Sequence, residues 1–158
     1  MTPEAESRVR LLAIDLGLRL GWAAFSASGR LLGYGSRHFG NRAAFRKAIP
    51  NILARYPGLE HLVVEGGGDL FVPWEKEGLR RGLRVRQVMG KEWRRTMLTP
   101  SQRRNGPEAK AAADRMARSL IHQSGAKRPT SLRHDAAEAV LVGAWASTTR
   151  PPTSPAGP

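Results

Sequence analysis

The chain contains no cysteine, which excludes disulfide staples and any thiolate metal centre. That suits a reducing compartment, and a cytoplasmic location is the expectation. Acidic side chains are scarce, 13 Asp and Glu against 26 Lys and Arg, for a formal charge of +13. So basic a chain suits a polyanionic partner, most simply nucleic acid. Long apolar runs are also missing. No segment is long enough to span a bilayer, and residues 1–10 lack the apolar core of a signal peptide, so no membrane partner is expected.

At 158 residues the chain suits one domain able to bury its own core. Residues 1–8 are polar and are expected to be a flexible N-terminus. The Pro/Ser/Gly-rich residues 150–158 are expected to be a disordered tail, and residues 9–149 the folded domain. Within it, residues 9–16 read as a buried strand, followed by a turn over 17–21 and a strand over 22–26. Ser28-Gly29 signals a tight turn before a third strand, 31–39, so these three form an antiparallel meander. Residues 42–56 show helical spacing interrupted by Pro50, and 59–65 form a short apolar strand. The intervening helix makes that strand a parallel neighbour of the first. A short helix near 74–81, a strand at 84–88 and a helix at 90–98 follow. A basic loop spans 100–107, and two further helices cover 108–123 and 133–147. The order βββαβ…β, then helices, predicts an α/β fold: a mixed five-stranded sheet with helices on both faces.

Acids placed beside apolar strands are the informative feature of so basic a chain. Asp15 ends Leu11-Leu12-Ala13-Ile14-Asp15, and Glu65 ends Leu62-Val63-Val64-Glu65. If the two strands are parallel neighbours, both carboxylates emerge at the same end of the sheet, where open α/β sheets bind ligands. Asp135 and Glu138 are i, i+3 and share one face of a helix whose Ala136, Ala137 and Ala139 permit close packing. Four such carboxylates repel one another unless cations are bound. Two Mg2+ or Mn2+ ions about 3.5–4 Å apart would resolve the repulsion and support phosphodiester cleavage. Each acid also has a plainer role available. Asp-x-Gly is common turn chemistry, Glu65 can be a solvated strand end, Asp135 can serve a helix N-terminus, and Glu138 can pair with Arg133 or Arg94. His134 can position water beside Asp135 or Glu138, or simply be structural.

The segment Ala13-Ile14-Asp15-Leu16-Gly17-Leu18-Arg19-Leu20-Gly21-Trp22-Ala23 resembles the first motif of RuvC-type Holliday-junction resolvases, members of the ribonuclease H-like superfamily. Val64-Glu65 is similar to their second acidic strand. Asp135-Ala136-Ala137-Glu138-Ala139 resembles their closing helix, with Glu in place of the second Asp. Gly106-Pro107-Glu108-Ala109-Lys110 falls at a basic helix start. The resemblance implies a ribonuclease H-like nuclease domain over 9–149 and a metal-dependent endonuclease acting on branched DNA. Asp15, Glu65, Asp135 and Glu138 would be the catalytic residues and would hold two ions, with Asp15 bridging them. Lys110 would lie near the scissile phosphate. Cleaving a two-fold junction symmetrically calls for a homodimer. Residues 65–84 are shorter than the family's corresponding segment, and Gly66-Gly67-Gly68 stands where an aromatic usually follows the second acid.

Basic residues cluster over 80–86 (Arg80, Arg81, Arg84 and Arg86), over 91–95 (Lys91, Arg94 and Arg95), and at Arg103 and Arg104 with Lys110. On this fold they would flank the acids and hold phosphates without reading bases. Phe71, Trp74 and Trp93 are interleaved with them, as base-stacking platforms or as core. The alternative function is a non-catalytic or differently specific nucleic-acid-binding protein on the same fold. An actin-like kinase is set aside, because the chain is too short for two such domains and has no second phosphate loop.

Overall fold

A computed structural model describes residues 2–149; the expected tail, 150–158, lies outside the described residues but for its boundary with Thr149. Helix α1 spans Pro3–Ser7, capped by the Thr2 side chain, where the polar sequence suggested a frayed end. Strands β1 (Leu11–Asp15), β2 (Arg19–Phe25) and β3 (Leu31–His38) form the antiparallel meander. Pairing of Asp15 with Gly21 carries the ladder to the end of β1, so β2 starts earlier than expected and the turn is short. Gly33 and Gly35 leave room for the Trp22 ring across β3, which keeps that glycine-containing strand regular there.

Helix α2 (Arg42–Ala54) begins on an Asn41 cap and runs through Pro50. Proline removes a helical hydrogen bond and usually breaks a helix. Here Phe45, Ala48, Ile49, Ile52 and Leu53 are buried on both sides of it, and their packing holds the helix continuous. Each fully buried side chain of this size contributes about 1.5–3 kcal/mol. Strand β4 (His61–Glu65), a 3-10 turn at Gly68–Leu70, α3 (Phe71–Arg80) and β5 (Arg84–Val88) follow. The chain closes with α4 (Gly90–Met97), α5 (Gly106–Ser124) and α6 (His134–Thr148).

The sheet order is β3-β2-β1-β4-β5, with β4 and β5 parallel to β1. Residue parity along the strands divides the core. Leu12, Ile14, Leu62 and Val64 face α2 and α3, whereas Ala13, Val63, Phe25 and Val88 face α4, α5 and α6. The architecture is therefore the mixed α/β sheet with helices on both faces. Helix α6 is apolar almost all round and sits in the centre of its layer. Trp74 and Trp93 are fully enclosed and Phe71 nearly so, which makes them core residues with no face free for a base.

Candidate metal and nucleic-acid site

Asp15 and Glu65 are register partners at the ends of β1 and β4, and their parity points both toward α6. Glu138, one turn into α6, meets them there. Oxygens from Asp15, Glu65 and Glu138 all lie within 4.8 Å of one another. The extra methylene of Glu138 over an aspartate does not keep it out of the group. Asp135 stands outside that trio in the first turn of α6, but near enough for its charge to act on Asp15.

Glu65 and Glu138 are only 7% and 5% exposed, which is costly for carboxylates. Burial, then repulsion from Glu65, Glu138 and Asp135, pushes the Asp15 carboxyl up to about 9. Burial and Glu138 push Glu65 up to about 7. Two groups oppose these shifts. The Arg94 guanidinium donates to Glu138 Oε1 at 2.6 Å, and its charge lowers both Asp15 and Glu65. The Trp93 indole lies close enough to favour the Glu65 anion, yet makes no hydrogen bond of good geometry. Trp93 Nε1 and Glu65 Oε2 are thus both buried without a partner among the described residues. His134 Nε2 lies 3.0 Å from Glu138 Oε1, so the histidine attaches to Glu138.

The acids border an open cleft of about 490 Å³ that Met89, Gly90, Lys91 and Arg94 also line. Beside it, a groove of about 470 Å³ is lined by Lys91, Arg94, Arg95, Arg103 and Lys110, with His134 and Glu138 on its wall. Lys91, Arg103 and Lys110 therefore line the groove that Glu138 also borders. Arg104 does not line the groove. Arg80, Arg81 and Arg84 are not brought there. Arg84 pairs with His61 at the far end of β5, four residues of strand or about 13 Å from Val88 and Glu65. Arg80 and Arg81 both bind Glu77, whose carboxyl is drawn down to about 2, chiefly by Arg80.

With oxygen donors only, one of them buried and unpaired, the trio suits a hard divalent cation. The fold is RuvC-like. The structure matches T. thermophilus RuvC, solved in complex with a Holliday-junction substrate, with a TM-score of 0.59 at 15% identity. The match covers 85% of this chain and 90% of that one. Neither a protein-family model nor a curated protein sequence matches the chain. Among the described residues no helix is long and apolar enough to cross a membrane.

Arg94 and Arg95, from the basic run 91–95, complete these surfaces together with Asn105 and Gly90, which do not stand out as a motif. The available signal was positional. A helix starting directly after β5 must begin at the sheet end that carries Asp15 and Glu65, and Arg94 is on its second turn.

Proposed function

We propose that this chain is a metal-dependent endonuclease that hydrolyses phosphodiester bonds in branched DNA, in the manner of a Holliday-junction resolvase. The observation that carries this reading is the unpartnered, buried Glu65 Oε2 within a close trio of carboxylates, on a protein of charge +13. Asp15, Glu65 and Glu138 would hold two Mg2+ or Mn2+ ions, with Asp135 as the fourth ligand from the first turn of α6. Such ions supply an activated water and neutralise the leaving oxygen. The chain's own groups do the rest. Lys91, Arg103 and Lys110 hold phosphates beside the cleft. His134 fixes Glu138 through the 3.0 Å contact. Trp93, Ala137 and Ala139 belong to the buried core on the face of the sheet that carries the cluster.

One observation favours the alternative, a binding protein without catalysis: the Arg94–Glu138 ion pair already neutralises part of the cluster. Cleavage of end-labelled four-way junction, flap, linear duplex and RNA/DNA hybrid separates the readings, run with Mg2+ or Mn2+ beside Asp15→Asn. Paired symmetric nicks in the junction, abolished by the substitution, are expected, and they would also require a dimer. Cutting of flaps or hybrids alone would keep the nuclease and discard the junction preference. Binding without cutting, unchanged in the variant, would leave the scaffold reading.

A further inference from the structure

Among the described residues, Arg94 is the one side chain that belongs to both surfaces while holding an acid of the cluster. It lines the acidic cleft and the basic groove, as Lys91 does, but Lys91 makes no ion pair among the described residues. Its guanidinium reaches Glu138 Oε1 at 2.6 Å and lies 5.1 Å from the Trp93 ring centroid, stacked over that ring. Gly90 contributes the space: a Cβ there would fall 2.7 Å from both Arg94 Nη1 and Glu65 Oε1. The Arg94 side chain nevertheless remains 36% exposed, so it is not locked in the interior.

We propose that Arg94 is a built-in counter-ion that competes with divalent cations for the carboxylates and, once displaced, grips a nucleic-acid phosphate in the adjacent groove. This rests on the metal-site reading above. Glu138 Oε1 already accepts from Arg94 and faces His134, so a cation ligated by that oxygen must share or evict a positive neighbour. Guanidinium and a divalent ion on one carboxylate oxygen repel each other, and the guanidinium is the one on a flexible stem. The groove offers it the other ligand it fits, since arginine holds phosphate through the same planar fork that it offers to carboxylate. Loading of metal and gripping of polyanion are then coupled, and the coupling is reciprocal. Arg94 acts here as a positioning residue.

Two titrations test this on the full chain. The first is calorimetric titration of Mn2+ into wild type, Arg94→Gln and Arg94→Lys, counting only the binding that Asp15→Asn removes. Loss of a charged hydrogen-bonding competitor should tighten Mn2+ binding in Arg94→Gln by about tenfold or more. Arg94→Lys, which keeps the charge but loses the fork, should fall between. A merely structural arginine would produce the opposite sign, because losing it would loosen the site. The second compares affinity for a short duplex in EDTA and in Ca2+, with the duplex verified intact. Wild type should gain affinity with Ca2+, and Arg94→Gln should not.

Equal or weaker Mn2+ binding in a folded Arg94→Gln overturns the proposal while leaving the metal site standing. So does a duplex affinity in wild type that ignores Ca2+. If Arg94→Gln does not fold, the lysine variant decides, and wild-type Mn2+ affinity in it overturns the proposal. No Mn2+ binding by wild type would remove the metal-site reading and this inference together.

Discussion

Gly21 and Asp135 meet backbone to backbone: a Cβ on Gly21 would fall 1.9 Å from the Asp135 carbonyl oxygen and 2.9 Å from Ala136 N. Gly21 also pairs with Asp15, which pairs with Glu65, so one row across the sheet sets both strand acids beside the start of α6. The glycine lets α6 lie directly on β2. Gly21→Ala must therefore move the helix or the strand, since backbone cannot step aside as a side chain can. We expect a loss of about 1–3 kcal/mol in urea unfolding. Divalent binding should weaken as well, because the displaced helix carries Glu138.

The raised carboxyls give a pH dependence with a definite sign. In the unfolded chain both groups release their protons near the ordinary carboxylate values, close to 4, whereas in the fold Glu65 holds its proton to about 7 and Asp15 to about 9. Between those limits the folded state binds more protons, so stability falls as pH rises. Melting in EDTA should show this decline from about pH 4 to 9. Mg2+, which takes the deprotonated acids, should oppose it, and Asp15→Asn should flatten it. The same variant should lose at least about a hundredfold in cleavage rate. A metal-free melting temperature that rises across this range contradicts the assignment.

Gly90→Ala separates fold from site. Alanine is about 1 kcal/mol better than glycine in a helix interior, and somewhat less at a first turn. The atoms its Cβ would meet are the ends of Arg94 and Glu65, which can shift cheaply for folding but not for ligation. Unchanged or slightly higher stability, with about tenfold weaker Mn2+ binding, is the expected pair of results in melting and calorimetry.

The basic groove predicts which cations hold phosphate. Lys91→Gln and Lys110→Gln should each lower the slope of log affinity against log salt by about 0.9 for duplex DNA. Arg80→Gln should leave that slope as it is, because Arg80 is bound to Glu77 on α3, which runs away from the acids. Filter binding over a salt series reads both.

The acids were legible in the sequence because few physical rules separate them from their positions. Strand parity and a crossover helix put Asp15 and Glu65 at one sheet end, and the spacing around Glu138 put it on the facing helix. The cations were less legible. Arg80, Arg81 and Arg84 adjoin one another in the chain, but α3 crosses the sheet and leaves them at its opposite end. Arg94 was one of two partners the sequence offered Glu138, and only the fold, which brings residues 44 apart together, selects it over Arg133. Pro50 reads locally as a break, and only the buried neighbours on both sides of it show why α2 continues. Trp74 and Trp93 carry the same letters whether they stack on bases or fill a core, and only their full burial decides between these roles.

The most direct test of the account is a crystal soaked in MnCl2, with data collected for the anomalous signal of manganese. We predict peaks within ligating distance of Asp15, Glu65 and Glu138, with the Arg94 guanidinium drawn off Glu138. A fully soaked crystal with no peak at these carboxylates and an intact Arg94–Glu138 pair would contradict it, and the trio would then be a structural cluster neutralised by its own arginine.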